Sequence, residues 1–460
     1  MKMRMQEEMI KVFLSGTMEI DEQGVLQIGG VSSEELREEF GTPLLVLDEK
    51  DMRRRANCYH SALRESYPGD FQILYASKAL ANRTVFKIMR QEGLGLDVVS
   101  GGELFKALRA GVDPDCIHFH GNNKQDHELK MALEAGIGGF FVDNLQEARN
   151  LNELAGEMDV RPAVMLRVKP GIEAHTHEYM VTGQPRSKFG LGLTDGRARR
   201  LVEMITGRGE LSDGDRLENL EFEGLHAHIG SQIYEQEAYS RLIGIMFEFM
   251  AELREETGII CSRLNLGGGL GIRQAEGDPE VSIGQHVRNI SDGVAEESRR
   301  LDYPLPELML EPGRSLVGPA GTTLYTVGSI KPSPGGKKYV AVDGGMSDNI
   351  RPALYDAEYS ALLAGKADKS PQETVAVAGR CCESGDILID EVELPPAESG
   401  DLLAVPATGA YTRSLASNYN EIPRPAVVLV HEGQASPVER RESYEDLMRR
   451  DMMPARFDEN

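Results

Sequence analysis

The chain has 460 residues, of which 40% are hydrophobic and 27% charged, a composition typical of globular proteins with a large core. Its formal net charge of -24 argues against nucleic acid and anionic membranes as partners. No apolar stretch approaches the roughly 20 residues that cross a bilayer, and residues 1–18 lack the apolar core of a signal peptide. The five cysteines, without metal-ligand spacing, predict a cytoplasmic protein and no metal site.

The two ends of the chain are predicted to be peripheral. Residues 20–28 have a strand-like pattern, and we expect residues 1–42 to pack with a β-rich domain formed by the other end of the chain. Residues 1–16 and the charged tail 440–460 are expected to form peripheral helices or to be partly disordered.

The centre of the chain alternates short apolar runs with amphipathic stretches such as residues 102–110 and 145–154. The predicted strands are residues 72–76, 96–99, 116–120, 139–143, 163–168, 221–228, 263–266 and 308–311. Eight strands with helical crossovers over about 240 residues have the rhythm of a (β/α)8 barrel. A doubly wound open sheet is the competing layout, but eight regular repeats favour closure. We therefore predict an α/β fold with a TIM-like (β/α)8 barrel over residues 43–318.

After residue 319 the pattern changes, because apolar runs are now separated by glycine and proline and no long helical pattern dominates. The predicted strands are residues 322–329, 338–342, 374–378, 401–405 and 426–430. This pattern predicts a β-rich domain of Greek-key or sandwich type over residues 319–439.

Polar and glycine residues gather where the predicted barrel strands end. They include Lys78, His120, Arg167, His226, His228, Ser231, Gly267, Gly268, Gly269, Glu311, Pro312, Gly313 and Arg314. Barrel active sites lie at the carboxyl ends of the strands. Each residue alone has an ordinary structural explanation, whereas their concentration indicates an active site.

Lys78 follows the apolar run of residues 71–75, where a lysine would be partly desolvated. Desolvation favours the neutral amine, which can hold a carbonyl compound as a Schiff base. Taken alone, a lysine that extends its ammonium group to the surface is the better explanation.

Glycines 267–269 offer backbone N–H groups that can bind a phosphate. Arg314 in the next loop adds a guanidinium group that can bind a phosphate or a carboxylate through two hydrogen bonds. A flexible turn explains the glycines equally well. Glu311 ends an apolar strand and needs a partner, which is either Arg314 or the ring nitrogen of a cofactor. His226 and His228 point to one face of their strand. One could be a core histidine, and His228 is the candidate to lie against a flat ring because it is nearer the strand end.

Two motifs lie in the β-rich part. Cys382-Glu383-Ser384-Gly385-Asp386 suits a catalytic loop, although on its own a polar hairpin is the better explanation. Gly409-Ala410-Tyr411 is weaker still, because Tyr411 could belong to the core.

Jointly, the motifs resemble those of the fold-type III PLP-dependent decarboxylases, and within them the diaminopimelate decarboxylases. The resemblance runs from Gly41-Thr42-Pro43-Leu44 to beyond Tyr411. Its markers are Tyr75-Ala76-Ser77-Lys78, Thr182-Gly183, Ser187-Lys188-Phe189-Gly190, His228-Ile229-Gly230-Ser231-Gln232, Leu266-Gly267-Gly268-Gly269, Glu311-Pro312-Gly313-Arg314, Cys382-Glu383-Ser384-Gly385-Asp386 and Gly409-Ala410-Tyr411.

The resemblance implies how pyridoxal 5'-phosphate (PLP) is held. Lys78 corresponds to the lysine that forms a Schiff base with it, Glu311 to the partner of the pyridine nitrogen and His228 to the residue stacked on the ring. The remaining implied cofactor contacts are Ser231, Gly268, Gly269 and Tyr411 at the phosphate, with Pro312, Gly313 and Arg314 beside Glu311.

It also implies how substrate is held. Arg314, Arg351 and Tyr355 correspond to a carboxylate clamp near Tyr411, and Glu383 corresponds to the residue that meets the distal ammonium group. Cys382 matches the proposed proton donor, with a water molecule as the alternative. In this family the loop with Cys382 and Glu383 enters from the other subunit, so a homodimer is implied.

The implied reaction is the decarboxylation of meso-2,6-diaminopimelate to L-lysine and carbon dioxide, the last step of lysine biosynthesis. A decarboxylase of ornithine, lysine or arginine on the same scaffold remains an alternative, as does a non-catalytic PLP-binding relative. A racemase would need a tyrosine base where this chain has Cys382.

Overall fold

The computed structural model describes residues 14–172, 188–212 and 214–457, which divide into two compact units. One unit, here called the barrel unit, comprises Met52–Ile272 and Pro279–Leu316. The other, the β-rich unit, comprises the described residues up to Asp51, Arg273–Asp278 and those from Val317 onward. Within the described ranges, no helix is both long and apolar enough to cross a membrane.

The β-rich unit begins with a small antiparallel sheet followed by a helix and a buried strand. These elements are β1 (Glu19–Ile20), β2 (Leu26–Ile28), β3 (Val31–Ser32), α1 (Ser33–Phe40) and β4 (Leu44–Asp48). Ser32 caps α1, because its side chain accepts from the backbone of the first turn while Glu35 reaches back to the backbone N–H of Ser32.

The barrel unit contains eight parallel strands that close into a ring, as the sequence predicted. The strands are β5 (Phe71–Ala76), β6 (Gly95–Val98), β7 (Ile117–Phe119), β8 (Gly139–Val142), β9 (Ala163–Lys169), β11 (Glu221–His226), β12 (Arg263–Asn265) and β13 (Glu307–Leu310), with a short β10 (Leu191–Gly192) beside the end of β9. Closure follows because β5 pairs with both β6 and β13, and β9 with both β8 and β11.

Helices alternate with these strands. They are α2 (Glu49–Ser66), α3 (Arg83–Gln91), α4 (Gly101–Arg109), α5 (Asp126–Ala135), α6 (Leu145–Glu157), α7 (Arg197–Thr206), α8 (Gln236–Thr257) and α9 (Ile283–Arg300). Polar caps mark several strand-to-helix junctions. Asn82 accepts from the N–H of Thr84 at 2.8 Å, and Asn144 from that of Glu147 at 2.9 Å. These caps define where each loop after a strand ends.

The short helix α10 (Arg314–Val317) ends the barrel unit, and the rest of the chain completes the β-rich unit. The elements of this part are β14 (Gly321–Pro332), β15 (Lys338–Val342), α11 (Arg351–Tyr355), β16 (Leu362–Leu363), β17 (Glu373–Ala378), β18 (Ile387–Leu394), β19 (Leu402–Val405), β20 (Ala426–His431), β21 (Gln434–Glu439) and α12 (Tyr444–Met448). The strand order is β18-β17-β15-β14-β4-β20-β21, with β19 on β14 and β16 on β19. The predicted β-rich domain is confirmed.

The N-terminal elements share a core with this sheet. Leu26 and Ile28 lie in one apolar cluster with Leu324 and Val428, all of them buried. β4, which the sequence analysis included in the barrel range, pairs with β14 and β20.

Strands β18 and β21 were not predicted. β18 carries exposed Asp390 and Glu391 in the middle of its apolar run, and β21 contains Pro437 and polar residues. Both lie at an end of the strand order, where one side lacks a hydrogen-bonded neighbour and polar residues and proline are tolerated.

Candidate active site

Glu311 is the centre of a buried polar cluster at the carboxyl ends of the barrel strands. Its Oε1 accepts from Asn265 Nδ2 at 2.7 Å and lies 2.8 Å from His120 Nε2, while Oε2 lies 3.2 Å from His226 Nε2. These partners follow or end β7, β11 and β12. Arg314 was one expected partner of Glu311, but its guanidinium donates instead to Ser231 Oγ at 2.9 and 3.2 Å.

The cluster favours a charged Glu311. Burial opposes ionisation, but the imidazoles of His120 and His226 outweigh it and hold the pKa of Glu311 well below its usual range. Burial and the charge of Glu311 raise the pKa of the nearby Asp97 carboxyl well above its usual range. Burial also lowers the pKa of both imidazoles.

This cluster also bears on the prediction of no metal site. His120, His226 and Glu311 place ligand atoms within 4.8 Å of one another, a spacing that a metal ion could use. Two imidazole–carboxylate hydrogen bonds account for the same spacing.

The glycine turn after β12 is tightly packed. A side chain on Gly268 would place its Cβ 2.1 Å from the carbonyl oxygen of Glu311, and one on Gly269 would meet the carbonyl oxygen of Gly230 at 2.5 Å. Gly267 and Gly269 also have left-handed φ angles of 68° and 114°. The turn is therefore built for close backbone approach, rather than being merely flexible.

Lys78 lies in a one-turn 3-10 helix, Ser77–Ala79, directly after β5. It is exposed while Ser77 and Ala79 are buried, so the expectation that Lys78 is desolvated is wrong for this structure. Burial and the positive charges of Lys78 and Arg167 lower the pKa of His228 well below the usual range. The charge of Lys78 therefore still acts on a residue of the site. His228 itself is half-buried.

Pro312 and Gly313 join Glu311 to Arg314 and are buried with it. A Cβ on Gly313 would lie 3.0 Å from the Cβ of Ala76 at the end of β5. The chain therefore passes close to the segment that carries Lys78.

The β-rich unit holds a second group of predicted residues. Arg351 begins α11 and is 2% exposed, with its Nε donating to Tyr359 Oη at 2.9 Å. Its guanidinium carbon lies 5.5 Å from the ring centre of Tyr355 and 5.9 Å from that of Tyr411. The structure thus brings Arg351, Tyr355 and Tyr411 together.

Tyr411 takes an uncommon backbone conformation, with a φ of 60°. Gly409, two residues before it, permits this turn to pack closely, since a Cβ there would lie 1.9 Å from the carbonyl oxygen of Val317. Tyr411 is half-buried, so it does not belong wholly to the core.

Cys382 and Glu383 lie on an exposed turn before β18. Buried Asp386 shapes this turn by accepting from the backbone N–H of Cys381 at 2.7 Å and of Met346 at 2.6 Å. The Cys382 N–H donates to Asn420 Oδ1 at 2.6 Å. The turn therefore presents both side chains to the surface of its own unit.

Comparison with known proteins identifies the chain. A sequence profile described as "Pyridoxal-dependent decarboxylase, pyridoxal binding domain" matches residues 50–318. The diaminopimelate decarboxylase of Bacillus subtilis (strain 168) is 47% identical over 441 residues, which cover 96% of this chain and 98% of that protein. The chain belongs to the diaminopimelate decarboxylases. As members of that family are pyridoxal-dependent, it is a carboxy-lyase whose cofactor is PLP.

Solved structures agree with this membership. A crystal structure of diaminopimelate decarboxylase from M. jannaschii with L-lysine has a TM-score of 0.87 and 35% identity, covering 96% of this chain and 98% of that one. A lysine/ornithine decarboxylase from Vibrio vulnificus has a TM-score of 0.71 but 24% identity, covering 87% and 97%. The second likeness concerns the fold alone.

The residues of the barrel fit the cofactor of a diaminopimelate decarboxylase. A carboxylate offers about four acceptor positions. The described residues supply Glu311 with three donors, two on Oε1 and one on Oε2, so a position on Oε2 remains for a ring N–H.

Some, but not all, residues of this site were predicted from the sequence. His120 and His226 were noticed at strand ends but given no role, and Asp97, one residue before the end of β6, was missed. The marker residues Thr182, Gly183 and Ser187 lie outside the described residues.

Proposed function

We propose that this chain decarboxylates meso-2,6-diaminopimelate to L-lysine and carbon dioxide, the last step of lysine biosynthesis. The observation that carries the proposal is the 47% identity, over nearly the full length of both chains, to a diaminopimelate decarboxylase. The likeness to a lysine/ornithine decarboxylase, at 24% identity, gives no comparable support for those substrates.

In this proposal the barrel unit holds the cofactor. The Lys78 amine is its covalent anchor, Glu311 accepts from the ring nitrogen and His228 lies against the ring. The phosphate is held by the turn at Gly268 and Gly269, together with Ser231, Arg314 and Tyr411, and Pro312 and Gly313 carry the chain between Glu311 and Arg314. Support comes from the acceptor position left on Glu311 and from the close-packed glycine turn.

When bound, PLP supplies an electron sink for the bond to the departing carboxylate. The protein residues supply proton control around it. Ionised Glu311 keeps a proton on the ring nitrogen, and Cys382 or a water molecule donates a proton to the carbon that lost the carboxylate. Lys78 lies directly after a barrel strand and is exposed, which suits its proposed role as the anchor.

Substrate choice is assigned to charged side chains. Meso-diaminopimelate has two similar ends of opposite configuration, so selecting one end requires gripping the other. We assign the distal carboxylate to Arg314, Arg351 and Tyr355, near Tyr411, and the distal ammonium group to Glu383. A substrate without that carboxylate would leave buried Arg351 without an anionic partner, which makes discrimination strong.

We also propose that the enzyme works as a homodimer whose Cys382 and Glu383 turn contributes to the partner's site. Support comes from the exposure of both side chains on a turn built by Asp386. A cytoplasmic location is proposed because all five cysteines are free.

The test is carbon dioxide release from a panel of amino acids at equal concentration. Meso-diaminopimelate should be turned over at least about 10²-fold better, in kcat/KM, than lysine, ornithine or arginine. Faster turnover of ornithine, lysine or arginine would contradict the proposed substrate. Absence of any release from the PLP-loaded protein would contradict the proposed activity as a whole.

A further inference from the structure

The donors around Glu311 are arranged unequally between its two oxygens. Asn265 and His120 both face Oε1, at 2.7 and 2.8 Å, whereas His226 faces Oε2 at 3.2 Å. Each donor comes from a different strand, so the carboxylate is held from several sides. It is 7% exposed, which leaves little room for water to replace a lost donor.

The hydrogen bonds determine where the imidazole protons lie. An ionised carboxylate only accepts, so Nε2 of His120 and of His226 must carry the proton that points at Glu311. His226 Nδ1 is buried and has no hydrogen-bond partner in the part of the chain that the structure describes. A doubly protonated His226 would therefore bury an unsatisfied donor, which agrees with the lowered pKa of this histidine, caused by burial.

We propose that His120 and His226 are positioning residues that keep the Glu311 carboxyl ionised, so that the proton shared with the cofactor's ring nitrogen stays on the nitrogen. This inference rests on the proposed function, in which Glu311 is the partner of that nitrogen. Neither histidine is assigned a contact with the reacting carbon.

The physical reason is a competition for one proton. In a buried nitrogen–carboxylate pair the proton resides on the group with the higher proton affinity, and donors to the carboxylate lower its affinity. Removing a donor lets the proton move from the ring nitrogen to Oε2. One N–H bond breaks and one O–H bond forms, and the ring becomes neutral and a weaker electron sink.

Other charged and titratable groups face the same cluster. They are Lys78, Asp97, Glu103, His118, Arg167 and His228. Asp97 is the nearest acid, with Oδ1 3.9 Å from His120 Nε2. All of these groups stay in place when only His120 or His226 is changed, so a change in the ring proton can be attributed to the removed donor.

The experiment compares paired substitutions in the holoenzyme. His226→Met and His120→Met remove the N–H donor, whereas His226→Gln and His120→Gln keep one in a side chain of similar length. His118→Met is the matched control, because His118 is buried on β7 two residues before His120 but makes no hydrogen bond to Glu311 among the described contacts. Each protein is loaded with PLP labelled with ¹⁵N at the ring nitrogen.

The ¹⁵N chemical shift of the ring nitrogen reports its protonation directly. Each methionine variant should move this resonance toward the unprotonated value and lower kcat by about ten- to a hundredfold, with KM changed much less. The glutamine variants should keep the resonance and kcat closer to those of the parent enzyme. His118→Met should leave the resonance unchanged. Asn265→Ala removes the third donor and should move the resonance in the same direction, so the test stands if one histidine variant does not fold.

A methionine variant that loses activity with an unchanged ¹⁵N resonance would overturn the inference, because its effect would then be structural. Equal ¹⁵N resonances in the methionine and glutamine variants would also overturn the inference. Failure of the proposed function looks different, since the parent enzyme itself would then bind no labelled PLP or would release no carbon dioxide.

Discussion

The barrel unit and the β-rich unit hold their charged residues in different ways. In the barrel, Glu311 is surrounded by side chains from the ends of three other strands, and its pKa is held well below the usual range. In the β-rich unit, Arg351 lies on a five-residue helix between tyrosine rings, and Cys382 lies on an exposed turn. In the barrel unit, the group assigned to the cofactor ring is held by side chains from several strands. In the β-rich unit, the groups assigned to substrate lie on a loop and a short helix.

This comparison predicts a division of effects. Changes in the barrel unit should alter turnover and the state of the cofactor, because its residues control protons around the ring. Changes to Arg351 and Tyr355 in the β-rich unit should alter substrate affinity, because these residues are assigned to the distal end of the substrate. Cys382 of the same unit is the exception, because it is assigned to proton transfer and should alter turnover. The predictions below test that division.

The largest effect is expected at Lys78. Lys78→Ala should remove the visible absorbance of covalently bound PLP and abolish carbon dioxide release, because the cofactor loses its covalent anchor. Absorbance spectra and carbon dioxide release measure both. Lys87→Ala, at another exposed lysine nearby on α3, is the control and should change neither. Retained turnover in Lys78→Ala would contradict the assignment of Lys78 as the covalent anchor of PLP.

Arg351 tests the other side of the division. Arg351→Ala should raise KM for meso-diaminopimelate by about ten- to a hundredfold, because the distal carboxylate loses a charged partner, while the affinity for PLP changes much less. Steady-state kinetics and PLP titration measure the two quantities. Tyr359→Phe, which removes the hydroxyl that accepts from Arg351, should raise KM by a smaller factor. Equal losses of substrate and PLP affinity would show that Arg351 is structural.

A shared site can be tested by mixing inactive proteins. Lys78→Ala and Cys382→Ala subunits, each lowering activity alone, should regain activity when their dimers are dissociated and reassembled together. Random reassortment in a symmetric dimer leaves roughly a quarter of the sites intact. Mass spectrometry verifies the mixed dimers. If verified mixed dimers gain nothing over the separate variants, Cys382 acts within its own chain.

The smallest effect concerns stability of the β-rich unit. Burial raises the pKa of Asp348 to about 7. Its carboxyl oxygens accept hydrogen bonds from the Tyr325 hydroxyl and from the backbone N–H of Gly345. The folded protein therefore keeps a proton that the unfolded chain releases above pH 4, so this contribution to stability declines as pH rises from about 4 to about 7.

Asp348→Asn should abolish that decline. Its free energy of unfolding relative to the parent should improve by on the order of 2 kcal/mol between pH 5 and pH 8. Urea unfolding of both holoproteins at the two pH values measures this, and Asp390→Asn, at an exposed position on β18, is the control. A difference that does not depend on pH would contradict the raised pKa.

Much of the barrel could be predicted, because its eight strands are buried and appear as apolar runs in regular alternation with helices. The β-rich unit was harder. β18 combines Leu388 and Ile389 with exposed Asp390 and Glu391, and only its place at the end of the strand order explains why that strand forms. Lys78 shows the same limit at the site, since its position was predicted correctly and its burial was not.

The sequence by itself determined the barrel and the family, because strand length, periodicity and local motifs are written in consecutive residues. It also brought Lys78 and Glu311 to one end of the barrel, because parallel strands share the edge at which they end. Only the tertiary structure decided that Glu311 pairs with His120, 191 residues away in the chain, and with His226 rather than with Arg314. These side chains come from strands that are not adjacent to β13 and meet only when the ring closes, and no local pattern encodes that long-range pairing.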